Sequence, residues 1–199
     1  MNLAGPLVVI AAPLAVAGVL QILRRWTLIS VWLSALTAIG MGVMLTFLPL
    51  DGVWTFRAVT IELGRSLVIM GRVLTIEATD IFVLRYIYFT AAALFLLAWR
   101  LLPHSNFFPA GLAAAALFSG AFMVEQVVYA ALLVVMGALL MVFPLHETGG
   151  VAKGGLRYLV YTTLALPGLM VTQLLLDLFT VFPNDQGLLS TATVLLGVS

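Results

Sequence analysis

The chain has 199 residues, of which 63% are hydrophobic and 9% charged, with a mean hydropathy of +1.20 and a formal net charge of +1. Typical soluble domains are roughly 45–50% apolar and about 25% charged, so a soluble fold of this size could not cover its apolar surface, and the composition indicates an integral membrane protein. The small net charge does not indicate nucleic acid or an acidic substrate as a ligand, and the absence of cysteine excludes disulfides, thiolate metal sites and cysteine nucleophiles.

The first two predicted helices precede every acidic residue of the chain. Residues 5–23 are uncharged and about as long as the ~20 residues that cross a bilayer. The basic pair Arg24–Arg25 follows this run instead of preceding it, which is the wrong polarity for a cleavable signal peptide. We therefore expect a retained first helix with its N-terminus outside, and a second helix over the uncharged residues 28–50.

Residues 51–80 predict a small extramembrane β-structure, a hairpin or a meander, between the second and third helices. The core VTIELGRSLVIMGRVLTIE alternates loosely, with turn points at Gly64–Arg65 and Gly71–Arg72 between β-branched runs. This segment carries seven of the seventeen charged residues of the chain, namely Asp51, Arg57, Glu62, Arg65, Arg72, Glu77 and Asp80.

The third predicted helix, residues 81–102, carries one arginine near each end. The apolar part between Arg85 and Arg100 has 14 residues. At 1.5 Å per residue it covers ~21 Å, less than the ~30 Å hydrocarbon core. Both arginines can extend to opposite interfaces and still allow a span, so we interpret them as structural anchors.

A polar pair, Glu125–Gln126, interrupts an apolar stretch of 39 residues, 107–145. As a single helix this stretch would reach ~58 Å, nearly twice the membrane core. Two antiparallel helices are therefore required, over residues 108–124 and 127–145. The polar pair falls at the turn between them, which predicts that Glu125 lies at a membrane interface.

The last part of the chain predicts a sixth helix and the start of a seventh. A glycine-rich loop, HETGGVAKGGLR, carries Lys153 and Arg157, and residues 158–181 then form a helix with a kink at Pro167. A polar turn over 182–187 precedes 12 apolar residues, 188–199, which cover ~18 Å and are too short to span. The chain is then either a fragment of a longer protein or a truncated form whose last segment lies against a partner.

The expected fold is one all-α polytopic membrane domain over residues 1–199, with six complete transmembrane helices, a partial seventh and a β-containing loop. With the N-terminus outside, five basic residues face inside and four face outside, in weak agreement with the positive-inside rule. No nucleotide-binding, metalloprotease or hydrolase motif is present. His104 and His146 are far apart beside helix ends, so we predict no metal site and no cofactor. Asp177, near the end of the sixth helix, is interpreted as an end group.

The order of these features resembles the N-terminal half of the antiporter-like, proton-translocating membrane subunits of respiratory complex I (NADH:quinone oxidoreductase) and of multisubunit cation/proton antiporters. The similar features are an acidic residue before the third helix in TIEATDIFVLRYIYF, a tight helix pair in FSGAFMVEQVVYAALLVVMGALLMVF, and a basic-aromatic start of the sixth helix in GGLRYLVYTTLALPGLMV. At that start the family usually has Lys-Tyr-Phe or Lys-Phe-Phe, whereas this chain has Arg157–Tyr158–Leu159.

The resemblance implies a proton-handling glutamate in the middle of the fifth helix, about ten residues after a polar residue at its start. With the start at Glu125–Gln126, that position falls near Val135, and no acid is there. The family's partner lysines lie in its seventh and eighth helices, which this chain barely reaches. The ion-pathway candidates that the sequence offers are Glu125, Arg157 and Asp177.

The leading hypothesis is a truncated or degenerate proton-channel module with a packing or scaffold role, embedded in the bilayer beside other membrane subunits. The resemblance also implies a prokaryotic cytoplasmic membrane. Two alternatives stay open: a fragment of an active NADH-quinone oxidoreductase subunit, and an independent small transporter or channel. An enzyme acting alone is disfavoured because no nucleophile, acid–base pair or cofactor motif is present.

Overall fold

The fold is an antiparallel helix bundle with small β-structures at one end. The computed structural model describes residues 2–23, 26–47, 53–56, 59–69, 72–101, 106–147, 152–181 and 194. Within these ranges the helices are α1 (Gly5–Ile22), α2 (Thr27–Phe47), α3 (Ala78–Leu101), α4 (Phe107–Met123), α5 (Val127–Glu147) and α6 (Ala152–Val181). The strands are β1 (Asn2–Ala4), β2 (Val53–Phe56), β3 (Val59–Glu62), β4 (Leu67–Ile69) and β5 (Arg72–Leu74).

Three helices of the described part are long and apolar enough to cross a bilayer: Gly5–Ile22, Leu28–Phe47 and Ala78–Arg100. The run of apolar side chains around the whole circumference of α1 and α2 is typical of helices surrounded by lipid and by other helices. The apolar helical stretches of α4, α5 and α6 are shorter, at 10–17 residues. The chain is thus a helical membrane protein, and three of its described helices are long and apolar enough to span a bilayer. The prediction of six complete spans is not confirmed by these lengths.

The β-structure predicted between the second and third helices is present, as two antiparallel hairpins. Strand β2 pairs with β3, matching Val53 with Glu62, and β4 pairs with β5. Strand β1 was not predicted; it pairs in parallel with β3, matching Asn2 with Thr60. A three-residue strand at a chain terminus has too few residues to show alternation, so its pairing is decided by tertiary contact alone.

The strands gather the start of α1, the end of α2, the start of α3 and the α4–α5 turn at one end of the bundle, here called the sheet end. The Thr75 amide donates to the Met123 carbonyl at 3.1 Å, and Leu74 forms an antiparallel bridge with Val124. The ends of α1, α3 and α5 and the starts of α2, α4 and α6 lie at the other end, here called the opposite end. Successive helices therefore alternate in direction.

Helix α4 lies at the centre of the bundle, in contact with α1, α2, α3 and α5. Its small side chains allow these neighbours to approach closely, as the segment AGLAAAALFSG predicts. Most of α4 is buried, including Leu112 and Met123. Near the opposite end, Phe107 and Phe108 of α4 pack around Phe95 of α3, with ring centroids 5.8–6.2 Å apart.

One sequence boundary was wrong: the glycine-rich loop predicted to run from His146 to Arg157 is much shorter. Helix α5 continues to Glu147 and α6 begins at Ala152, so Lys153 and Arg157 are helical. A glycine in a helix costs only about 1 kcal/mol relative to alanine, whereas a helix satisfies its own backbone hydrogen bonds. The predicted turn at 182–187 and the seventh segment at 188–199 lie outside the described residues, apart from Val194.

The close approach of α1 to the β3–β4 turn requires glycine at position 5. A Cβ on Gly5 would lie 2.6 Å from both the Cα and the carbonyl oxygen of Leu63, which is fully buried. Backbone atoms cannot move aside as the end of a flexible side chain can. By contrast, a Cβ on Gly18, further along the same helix, meets nothing within 4 Å.

We predict that Gly5→Ala lowers the free energy of unfolding by about 1–3 kcal/mol, the usual effect of overpacking. The matched substitution Gly18→Ala should leave the stability unchanged or raise it by up to about 1 kcal/mol, because alanine is the better helix former. Equilibrium unfolding in mixed detergent micelles measures both. Equal effects of the two substitutions would contradict the contact between α1 and Leu63.

Candidate functional site

Glu125 lies where the length argument requires it, in the bend between α4 and α5. It is exposed, at the sheet end, next to Val124, which contacts the strands. The neighbouring Gln126 begins α5, because its carbonyl accepts hydrogen bonds from the amides of Tyr129 and Ala130, each at 3.1 Å. The structure therefore places this carboxylate at the end of the bundle and outside the packed helices.

Val135, the position of the family's glutamate, faces a cavity whose described lining side chains are all apolar. The cavity has a volume of about 420 Å³ and lies between α4, α5 and α6. Its lining residues are Ala121, Phe122, Val127, Ala130, Ala131, Val134, Val135, Ala165 and Leu169. A proton relay needs titratable groups within hydrogen-bonded or water-bridged reach of one another, and this cavity offers none among its lining side chains.

The other two ion-pathway candidates lie on α6, far from each other. Arg157 is exposed near the start of the helix, at the opposite end. Asp177 lies four residues before the helix ends at Val181, and its side chain is outside the described part of the structure. Twenty helical residues separate the two positions by about 30 Å along the axis. The fold does not bring Glu125, Arg157 and Asp177 into one cluster.

Arg85 has a structural role, because it caps the end of α2. Its guanidinium donates from Nε and Nη2 to the Leu45 carbonyl at 2.9 and 2.8 Å, and from Nη2 to the Thr46 carbonyl at 3.3 Å. The last four carbonyls of a helix have no partner within it and form the negative end of the helix dipole. Arg85 thus anchors α3 to α2, in agreement with the predicted structural role.

The acid before the third helix also has a structural partner. The carboxylate of Asp80 accepts a hydrogen bond from the amide of Glu77 at 3.0 Å, while the Glu77 carbonyl accepts from the Asp80 amide at 3.1 Å. This is the acidic half of a capping box, which satisfies a backbone donor at a helix start. Asp80 is therefore used in beginning α3.

A fully buried polar contact joins α1 to α3 beside a proline of α1. Pro13 lies inside α1 and has no N–H, so the carbonyl four residues earlier, that of Val9, has no helical donor. The hydroxyl of Tyr88 donates to this carbonyl at 2.7 Å. Both Val9 and Tyr88 are fully buried. The tyrosine replaces the hydrogen bond that the proline removes.

Ser119 of α4 lies beside this contact. Its hydroxyl donates to the Ala115 carbonyl at 2.8 Å, and its side chain is also a hydrogen-bonding neighbour of Tyr88. Val9 is four residues from the start of α1 and Ser119 four from the end of α4, so both lie about 6 Å inside the sheet end. The cluster of Val9, Pro13, Tyr88 and Ser119, here called the proline node, joins three helices.

Two more buried hydroxyls of the described residues bind backbone carbonyls of their own helices. Ser34 donates to the Val31 carbonyl, and Thr172 to that of Gly168. Within the described ranges, no buried side-chain nitrogen or oxygen lacks a partner and no group of acids and histidines could hold a metal ion. The polar groups inside the bundle are thus committed to the backbone.

No family model, no characterised protein and no solved structure matches the chain. The order of sequence features alone carries the resemblance to the antiporter-like subunits.

We predict that Tyr88→Phe lowers the free energy of unfolding by about 1–3 kcal/mol, the cost of leaving a buried carbonyl unpaired. In a Pro13→Ala background the cost should be clearly smaller, because alanine at this position supplies the N–H that the Val9 carbonyl otherwise lacks. A double-mutant cycle of unfolding free energies measures this coupling. The same cost in both backgrounds would show that Tyr88 does not compensate for Pro13.

We also predict that Arg85→Gln destabilises the protein by about 1.5–3 kcal/mol, because the α2 carbonyls lose a charged donor. Arg65→Gln is the matched control, since Arg65 makes only an exposed contact with Glu62 at 4.0 Å, and such pairs contribute about 0–1 kcal/mol. Equilibrium unfolding compares the two variants. If Arg65→Gln lowers the free energy of unfolding as much as Arg85→Gln does, the capping of α2 by Arg85 makes no specific contribution to stability.

Proposed function

We propose that this chain is a membrane subunit of an assembly similar to respiratory complex I or to the multisubunit cation/proton antiporters, and that it packs and seals within that assembly without conducting protons itself. The observation that carries the proposal is the apolar cavity around Val135. The family's resemblance implies a glutamate there, and the lining side chains that the structure describes are all apolar.

The polar groups elsewhere in the described helices support the same proposal. Arg85 is bound to the end of α2, Tyr88 to the Val9 carbonyl, and Asp80 to the start of α3. A proton carrier has to exchange partners during transport, whereas each of these groups supplies a partner that the backbone of a helix lacks. Their chemistry is that of a stable scaffold.

Under the same proposal, α4, α5 and α6 complete a six-span topology. Helix α4 packs along α1 and α5, and α6 packs along α5, in alternating directions. The 21 residues of α5 and the 30 residues of α6 give lengths of about 31 and 45 Å, enough for a core of ~30 Å. Exposed apolar side chains on these helices, including Leu132, Met136, Leu164 and Leu174, offer faces for lipid or neighbouring subunits.

We predict that the purified chain in liposomes shows no proton flux above that of protein-free liposomes when a potassium diffusion potential drives it. Because no titratable side chain is among the described residues that line the cavity, Val135→Glu should not create flux, and it should behave like its neutral control Val135→Gln. Fluorescence of an enclosed pH indicator measures the flux.

Flux above background that disappears in Glu125→Gln would overturn the proposal and favour an independent transporter. Association is tested separately, by purification in mild detergent and identification of the chains that accompany this one. Recovery of the chain alone under conditions that preserve known membrane assemblies would argue against a subunit role.

A further inference from the structure

Tryptophans cluster at the opposite end of the bundle, on the outer surface of α2 and α3. Trp32 and Trp99 are 55% and 38% exposed, and their ring centroids are 5.9 Å apart at an angle of 60°. Trp26, just before α2, is 62% exposed. Exposed tryptophans on spanning helices occupy the level of the lipid headgroups, where the ring is apolar and the N–H finds polar partners.

A shallow apolar cavity starts beside these rings and follows α2 toward the middle of the bundle. Its volume is about 370 Å³, and it is lined by Leu28, Ile29, Trp32, Leu33 and Leu36. The lining residues recur at spacings of three and four, so they form one stripe along the helix. The cavity, here called the Trp32 groove, therefore runs parallel to the direction of a lipid acyl chain.

A cation follows Trp99 in the sequence, at the same end of the bundle. Arg100 follows Trp99 in the last turn of α3 and is exposed. Within the described residues no acidic side chain pairs with it. The local charge is complementary to an anion.

We propose that the Trp32 groove binds an anionic phospholipid, with one acyl chain along the groove and the headgroup phosphate at the Arg100 guanidinium. Guanidinium groups bind phosphate oxygens through two parallel hydrogen bonds, so the arginine gives geometry as well as charge. A protein helix is disfavoured as the occupant because the groove is formed by α2 alone and carries bulky side chains, whereas helix contacts in membranes use small residues.

Quenching of tryptophan fluorescence by brominated lipids tests this site. The variant Trp26→Phe/Trp54→Phe keeps only Trp32 and Trp99, and it is placed in vesicles of phosphatidylcholine with increasing brominated phosphatidylglycerol or brominated phosphatidylcholine. One basic residue at a membrane surface favours an anionic lipid by about fivefold. We expect brominated phosphatidylglycerol to reach half-maximal quenching at a concentration about fivefold lower than brominated phosphatidylcholine does. Arg100→Lys should retain most of this preference, and Arg100→Gln should abolish it.

Two controls separate the site from a general surface charge. Arg157→Gln, at the same end but on α6, should leave the preference unchanged. A variant that keeps only Trp54, on β2 at the sheet end, should be quenched equally by both lipids. Equal quenching of the Trp32–Trp99 pair by both lipids, a preference that survives Arg100→Gln, or a preference lost equally in Arg157→Gln would each overturn the proposal.

Native mass spectrometry of the unsubstituted chain provides an independent measurement that does not depend on the tryptophan variants folding. Detergent-solubilised protein is titrated with unbrominated phosphatidylglycerol or phosphatidylcholine. One retained phosphatidylglycerol per chain, absent in Arg100→Gln, supports the site. Equal retention of both lipids would overturn the proposal. It would also be overturned if the protein retained no lipid and a copurifying chain covered the Trp32 groove.

Discussion

The structure depends on one constraint, which is that no backbone carbonyl can be left unpaired inside lipid. Two places in the first half of the chain break the regular helical pairing of carbonyl groups: Val9, whose carbonyl loses its donor to Pro13, and the end of α2 at Leu45 and Thr46. Both are paired by side chains of α3, through Tyr88 and Arg85. Each unsatisfied group would cost several kcal/mol in a hydrocarbon environment, so these contacts fix α3 against α1 and α2 at the sheet end. The strand pairing of β1 with β3 then ties the start of α1 to the same place.

The same constraint bears on function. A polar side chain that pairs with a backbone carbonyl is not free to pass a proton, and Tyr88, Ser34, Ser119 and Thr172 are each bound in this way. Where the family's resemblance implies an acid, Val135 stands in a space lined by apolar side chains. An apolar cavity of this kind allows helices to pack and to exclude water. The proposed role as a packing subunit rests on two observations. The described residues around Val135 carry no titratable group, and the described buried polar side chains already have hydrogen-bond partners.

Physical reasoning from the sequence located the helix break at Glu125 because length alone forbids one helix over residues 107–145. It also identified the β-structure between α2 and α3, where β-branched runs alternate with glycines. It did not find β1, whose three residues are too short to carry a pattern, and it began α6 too late because glycines near Arg157 indicated a loop. Pro13 does show, from the sequence, that the Val9 carbonyl needs a donor. That the donor is Tyr88, 79 positions away along the chain, depends on how the helices pack, and no local pattern carries this information.

The hydrogen bond between Tyr88 and Val9 is the most direct point at which to test this account. A ¹³C=¹⁸O label placed at Val9 alone separates the stretching band of its carbonyl from the rest of the infrared spectrum, and hydrogen bonding lowers the frequency of that band. The account predicts that Tyr88→Phe moves the labelled band to higher frequency while an equivalent label at Val19, whose carbonyl accepts the Leu23 amide at 3.0 Å, does not move. An unchanged Val9 band would show that another donor satisfies this carbonyl, and the proline node would then not be what joins α1 to α3.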